Sequence, residues 1–91
     1  MYKLIFASRA ERHLLDFEKS GDKPLMKKVR ALFEELKKHP ETGTGKPERL
    51  KGNRSGLWSR RITDKHRMVY RIENMEITVY VLSLSGHYDD R

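Results

Sequence analysis

The chain opens on a short apolar run, YKLIFA over 2–7, rich in residues that favour strands. The apolar spacing then changes to a helical one. Ala10, Leu14 and Phe17 share one face with Leu15 beside them, which predicts a helix from Ser8 to about Lys19. Ser8 and Glu11 read as a capping box, each side chain reaching the other residue's backbone N–H. Ser20-Gly21 ends that helix, since Gly enters the left-handed conformation at little cost. Asp22 caps a second helix and Pro24 fits its first turn, where no N–H is needed. Leu25, Val29, Leu32, Phe33 and Leu36 form its apolar stripe, and Pro40 stops it.

Beyond Pro40 the period shortens to that of strands. A Gly- and Thr-containing loop, ETGTGK over 41–46, leads to a weak strand over 47–51 anchored by Leu50. The loop lacks the GxxxxGK[ST] spacing of a phosphate-binding loop. A turn over 52–56 follows, then strands over 57–63, 66–73 and 77–84. Alternation puts Trp58, Arg60 and Ile62 on one face and Leu57, Ser59 and Arg61 on the other; Met68, Tyr70 and Ile72 oppose Arg67, Val69 and Arg71. The last strand is apolar on both faces and so reads as central or covered. The order strand, helix, helix, four strands predicts one α+β domain over 1–91. Its expected form is an antiparallel sheet of four to five strands, the first strand beside the last, with an N-terminal helical hairpin on one face. The other face, bearing basic residues, is expected to stay open.

Composition changes this picture in one respect. The 91 residues carry 20 Lys plus Arg against 13 Asp plus Glu, a formal charge of +7. Such a balance points to nucleic acid, an anionic membrane or an acidic protein as partner. No apolar run is long enough to span a bilayer and no signal-peptide pattern opens the chain, so a cytoplasmic protein without membrane contact is expected. The absence of cysteine excludes a disulfide framework and a thiolate metal site. The four histidines show no metal-ligand spacing, so neither metal nor cofactor is expected.

The positive charge concentrates in residues 45–70, where Lys46, Arg49, Lys51, Arg54, Arg60, Arg61, Lys65 and Arg67 stand with Glu48 the only acid before Asp64. An isolated acid among cations is commonly a surface counter-ion; its chemical reading is a general base, which those cations keep ionised but also weaken. Arg60 and Arg61 face opposite sides of a strand, so only one of them can line a given surface, and Arg there suits bidentate phosphate binding. Trp58 and Tyr70 are large enough to be needed in the core; Tyr88, in the polar tail, is the better candidate for stacking on a base. His87 follows a glycine past the last strand, and reads either as a solvated tail residue or as an acid. Together these parts suit RNA cleavage: a base for the 2′-OH, cations for the phosphorane and an acid for the leaving 5′-oxygen.

The run GKPERLKGNRSGLWSRRITDKHRMVYRI, followed by the terminal GHY, resembles the YoeB/Txe family of toxins within the RelE/ParE superfamily. The specific parts are GKPE-x-LK, SG-x-WSRRI, HR-x-VY and the terminal His-Tyr. The resemblance implies a RelE-like, microbial-ribonuclease-like fold. It also implies a toxin of a type II toxin–antitoxin system that cuts mRNA in the ribosomal A site without metal and so inhibits translation. Glu48 falls on the general base, Arg67 on the residue that stabilises the scissile phosphate, and His87 on the general acid, with Tyr88 beside it. Lys51 and Arg61 fall on basic positions of the same surface, joined by Arg60 and Lys46 as expected substrate contacts. A YefM/Phd-type antitoxin is the implied partner, and both monomer and homodimer stay open. Many members end at the His-Tyr, whereas this chain continues with Asp89-Asp90-Arg91, whose two acids oppose phosphate binding. Two other readings of the scaffold are a non-catalytic inhibitor that blocks DNA gyrase and a basic RNA- or ribosome-binding module.

Overall fold

A computed structural model of the chain describes residues 1–86. Strand β1 (Lys3–Phe6) leads into helices α1 (Ser8–Ser20) and α2 (Lys23–Lys38), followed by β2 (Glu48–Arg49), β3 (Trp58–Arg61), β4 (Arg67–Glu73) and β5 (Thr78–Ser83). The five strands form one sheet in the order β1-β5-β4-β3-β2. The four later strands pair antiparallel, as the short turns between them require. β1 joins the edge of β5 parallel, with Lys3 opposite Thr78 and Phe6 opposite Val81. The helical hairpin between β1 and the other strands is the long connection that a parallel pair needs. β5 therefore lies between two strands, with Val79 and Val81 buried in the core and Tyr80 and Leu82, on its other face, partly exposed.

The core sits between the helices and one face of the sheet. Ala10 and Phe17 of α1 and Met26, Val29, Leu32 and Leu36 of α2 are buried against Met68, Tyr70, Val79 and Val81. Leu14, Leu25 and Phe33 pack at the margin of this cluster, while Leu15 stays 55% exposed. Gly21 takes a φ of 73° at the end of α1, and the Asp22 side chain accepts a hydrogen bond from Leu25 N–H at 3.1 Å.

The expected capping box is not formed. Ser8 is already helical, Ala7 occupies the capping position, and no side chain caps the helix. The sheet sets this boundary: Ala7 N–H donates to Val81 O at 2.9 Å, and Ala7 O accepts the first helical bond from Glu11 N–H at 3.0 Å. β2 is also shorter than expected. Its pairing to β3 covers Glu48 opposite Ser59 and Arg49 opposite Trp58, and Leu50 adds one bond to Leu57 before the turn begins.

Candidate functional site

Register places the candidate residues. Glu48 lies opposite Ser59, Ser59 opposite Val69, and Arg61 opposite Arg67. Because directly paired residues point to the same side, Glu48, Ser59, Arg61, Arg67 and Val69 all belong to the face turned away from the helices. Arg67 Nη1 donates to Ser59 Oγ at 3.2 Å and lies 3.9 Å from Glu48 Oε1. A carboxylate from β2, a hydroxyl from β3 and a guanidinium from β4 thus meet across three neighbouring strands. The Glu48 side chain is 52% exposed and that of Arg67 23%, so the acid faces solvent while the cation is largely enclosed.

The other expected contacts distribute unevenly. Arg61 shares the open face and pairs with Asp64 at 3.6 Å near the end of β3. Lys51 is exposed at the head of the turn that joins β2 to β3. Lys46 sits just before β2 with a φ of 51°, in the left-handed region. His87 and Tyr88 lie outside the described residues. Gly86, which precedes them in sequence, accepts a hydrogen bond from Arg67 N–H at 3.0 Å.

Arg60 is a correction to the expected set of substrate contacts. Its side chain is fully buried, on the helix side of the sheet with Trp58 and Ile62. Nη2 donates to His39 O at 3.0 Å and Thr42 O at 2.9 Å, while Nη1 reaches Glu35 Oε1 at 3.2 Å. The carbonyls at and just beyond the end of α2 carry the negative end of the helix dipole, so they are apt partners for a buried cation. Tyr70, whose hydroxyl donates to Pro40 O at 2.8 Å, closes the same cluster; burial raises its pKa, opposed by the adjacent Arg60. The guanidinium therefore has no access to a substrate on the open face. What it holds is the loop that carries the chain from α2 to Glu48.

The glycines of that loop serve the same packing. Gly45 has a φ of 89°, and a Cβ there would stand 2.5 Å from Arg61 O. Its carbonyl accepts from Arg61 N–H at 2.8 Å, extending the sheet beyond β2. Gly43 lies against Glu35, where a Cβ would be 2.4 Å from Oε1. The Gly-Thr repeat is thus a close-approach loop on β3 and α2.

Ser59 was not singled out in advance as a functional residue. Its alternation with Trp58 and Arg60 was the available signal, since it put the hydroxyl on the side of Arg61. Beside the Glu48–Ser59–Arg67 group, an open cleft of ≈ 640 Å³ runs past the end of β5, with Arg9, Arg54, Leu57, Val69 and Ser83 among its walls. Two cations and three apolar or small side chains make it basic with a partly apolar lining. Among the described residues, no three His, Asp or Glu side chains gather as a metal site.

Comparison with known proteins gives a consistent set of matches. Residues 9–88 match the family model described as "YoeB-like toxin of bacterial type II toxin-antitoxin system". The chain is 38% identical over 86 residues to "Toxin YoeB" of Synechocystis sp., covering 94% of this chain and 96% of that protein. It superposes on the YoeB/ParE toxin from Agrobacterium tumefaciens with a TM-score of 0.85 and 36% identity, over 94% of this chain and 99% of the other. The toxin fold in the YoeB-YefM complex from Staphylococcus aureus is also similar, with a TM-score of 0.82 and 30% identity over 97% and 99% of the two chains.

Proposed function

The chain belongs to the YoeB-like toxins of bacterial type II toxin–antitoxin systems, and from that premise we propose that it is a ribosome-dependent endoribonuclease cutting mRNA in the A site. Glu48 takes the proton from a ribose 2′-OH. The 2′-oxygen attacks the adjacent phosphorus, Arg67 stabilises the charge that grows on the phosphorane, and His87 gives a proton to the leaving 5′-oxygen. The products are a 2′,3′-cyclic phosphate (or a 3′-phosphate) and a 5′-hydroxyl. Lys46, Lys51 and Arg61 hold the flanking phosphates, and Tyr88 stacks on a base.

The observation that carries this reading is the 3.9 Å separation of Glu48 and Arg67 on the open face. A 2′-OH and its own phosphate are neighbours on one nucleotide, so the base and the cation that serve them must also be neighbours. General-base and electrostatic stabilisation each contribute about 10²–10⁴-fold and 10²–10³-fold respectively, and both require such fixed placement. A counter-ion pair alone would not need the hydroxyl of Ser59 to orient the guanidinium.

A YefM-type antitoxin is the partner this reading assigns, its acidic segment lying over the basic face; the similar Staphylococcus aureus structure is a YoeB-YefM complex. The site of action is the cytoplasm, where translating ribosomes are. Induction in cells with mapping of RNA 5′-ends is the deciding experiment. Cuts within translated codons, lost with Glu48→Gln, are expected. Growth arrest with inhibited DNA supercoiling and no new 5′-ends would overturn the proposal.

A further inference from the structure

Two histidines that carry no role in the proposed chemistry converge on one piece of backbone. His13, on α1, accepts at Nδ1 from Leu84 N–H at 3.0 Å and from Ser85 N–H at 3.2 Å. His66, just before β4, accepts at Nδ1 from Gly86 N–H at 3.1 Å and lies 3.4 Å from Ser85 Oγ. An imidazole nitrogen that faces a backbone N–H must be unprotonated, so the proton of each neutral ring sits on Nε2. The consecutive N–H groups of residues 84–86 would otherwise have no strand partner, because β5 ends at Ser83.

The clasp is rigid on the side of the helix. The His66 ring lies 5.0 Å from that of Phe17, which is itself buried in the core. Leu84 is fully buried, which fixes one end of the segment, and among the described residues Ser85 and Gly86 meet the imidazoles and the backbone of Arg67. That bond, Arg67 N–H to Gly86 O, ties the segment to the strand that bears the phosphate-stabilising guanidinium.

We infer that His13 and His66 are positioning residues: as neutral acceptors they hold residues 84–86 against Arg67, and protonation of either ring releases that segment. The protonated Nδ1–H would point at an N–H donor, replacing an attraction by a repulsion. The link to cleavage rests on the roles proposed for Arg67 and for His87, which follows Gly86; the clasp itself does not.

Burial, ahead of the neighbouring charges, favours the neutral state at His13. Burial lowers its pKa, as do Arg9, Arg12 and His66, against an opposing contribution from Asp16. His66 faces His13 and Phe17 from α1, and shares a cleft with Asp22, Asp64 and Lys65. A proton on either ring would load the clasp with a charge that its backbone donors oppose.

The test is a ¹⁵N NMR titration of the full chain from about pH 7.5 to 4.5, spanning the ordinary imidazole range and extending below it for the lowered pKa of His13. Both rings are expected as Nε2–H tautomers at the upper limit. The amide resonances of Leu84, Ser85 and Gly86 should move with the imidazole midpoints, and Ser85 and Gly86 should lose about tenfold in exchange protection while Val79 and Val81 hold theirs. His13→Asn with His66→Asn supplies an uncharged oxygen near each Nδ1, and should flatten this response. An Nδ1–H tautomer at either ring, amides at 84–86 that ignore pH, or a double variant as sensitive as the wild type would each overturn the clasp. In parallel, the acid limb of the cleavage rate should flatten in the double variant. If the amides respond as expected while no chain cleaves mRNA, the nuclease reading fails and the clasp stands.

Discussion

The Glu48 carboxylate and the Arg67 guanidinium stand 3.9 Å apart, with Ser59 of the intervening strand hydrogen-bonded to the arginine. The pair is half-exposed on its acidic side, so it contributes at most about 1 kcal/mol to stability. Its value lies in placement. Glu48→Gln should therefore leave the thermal midpoint nearly unchanged, within about 0.5 kcal/mol. It should lower mRNA cleavage on translating ribosomes by about 10²–10⁴-fold. Single-turnover cleavage at saturating toxin, beside a melting curve, checks both; an unchanged cleavage rate would remove Glu48 from the role of base.

Ser59 separates orientation from charge at Arg67. Ser59→Ala keeps the guanidinium but deletes the buried oxygen that receives it. A stability loss of about 1 kcal/mol is expected for the missing hydrogen bond. Cleavage should fall severalfold, far less than with Arg67→Ala, for which about 10²–10³-fold is expected. If Ser59→Ala and Arg67→Ala lose equal activity at equal stability, the hydroxyl has a direct part in the reaction and is not merely an orienting group.

Arg60 and Arg61 are neighbours in sequence with opposite fates. Arg60→Leu removes the cation that ties His39, Thr42 and Glu35 together inside the fold. Its cost should be about 2–3 kcal/mol, since the part-buried carbonyls and Glu35 lose their donor. Arg61→Ala, on a half-exposed side chain, should change stability by less than about 0.5 kcal/mol and act on RNA binding. Urea midpoints of the two variants read this directly. Equal midpoints would show that the Arg60 cluster contributes nothing to folding.

That contrast marks the limit of what the sequence made legible. The helices and strands follow from apolar spacing, because each buries one stripe or one alternate row against a shared core. The same alternation already put Arg60 on the side of Trp58 and Ile62, yet the density of cations around it suggested an anion. Its actual partners are the carbonyls of residues 39–42 and Glu35, far away in the chain and invisible to any local pattern. The capping box at Ser8 failed for a related reason: a sheet bond to Ala7 set the boundary before a side chain could, whereas the Gly21 and Asp22 caps are local and formed as read. His13 and His66 were legible only as an absence of metal spacing, since their partners are backbone N–H groups that no sequence motif marks.

Gly45 and Gly21 both occupy left-handed backbone, but only one is crowded. At Gly21, with φ 73°, a Cβ would meet nothing within 4 Å, so alanine pays the conformational cost alone, about 1 kcal/mol. At Gly45 the new carbon would stand 2.5 Å from Arg61 O, a backbone atom that cannot step aside without breaking the bond from Arg61 N–H. Gly45→Ala should cost more than about 2 kcal/mol and displace Lys46 and Glu48 with it, lowering cleavage as well. Comparable melting points for the two alanine variants would show that this loop is free to move off β3.

Glu35 gives the Arg60 cluster a pH dependence of definite sign. Burial raises its carboxyl pKa, but the hydrogen bonds from Thr44, with N–H at 2.8 Å, and the charge of Arg60 more than offset this and leave it below the ordinary value. A carboxylate whose folded pKa is depressed adds stability that is fully present above the unfolded value, about 4.3. That stability is lost as pH falls through the folded value. Glu35→Gln keeps an oxygen for Thr44 and Arg60 but cannot ionise. It should therefore be less stable than the wild type at neutral pH, by a margin that shrinks on acidification below about pH 4. Urea denaturation of both chains across that range measures the margin. A gap that stays constant, or widens toward acid, would mean that the Glu35 charge does not hold the loop to Arg60.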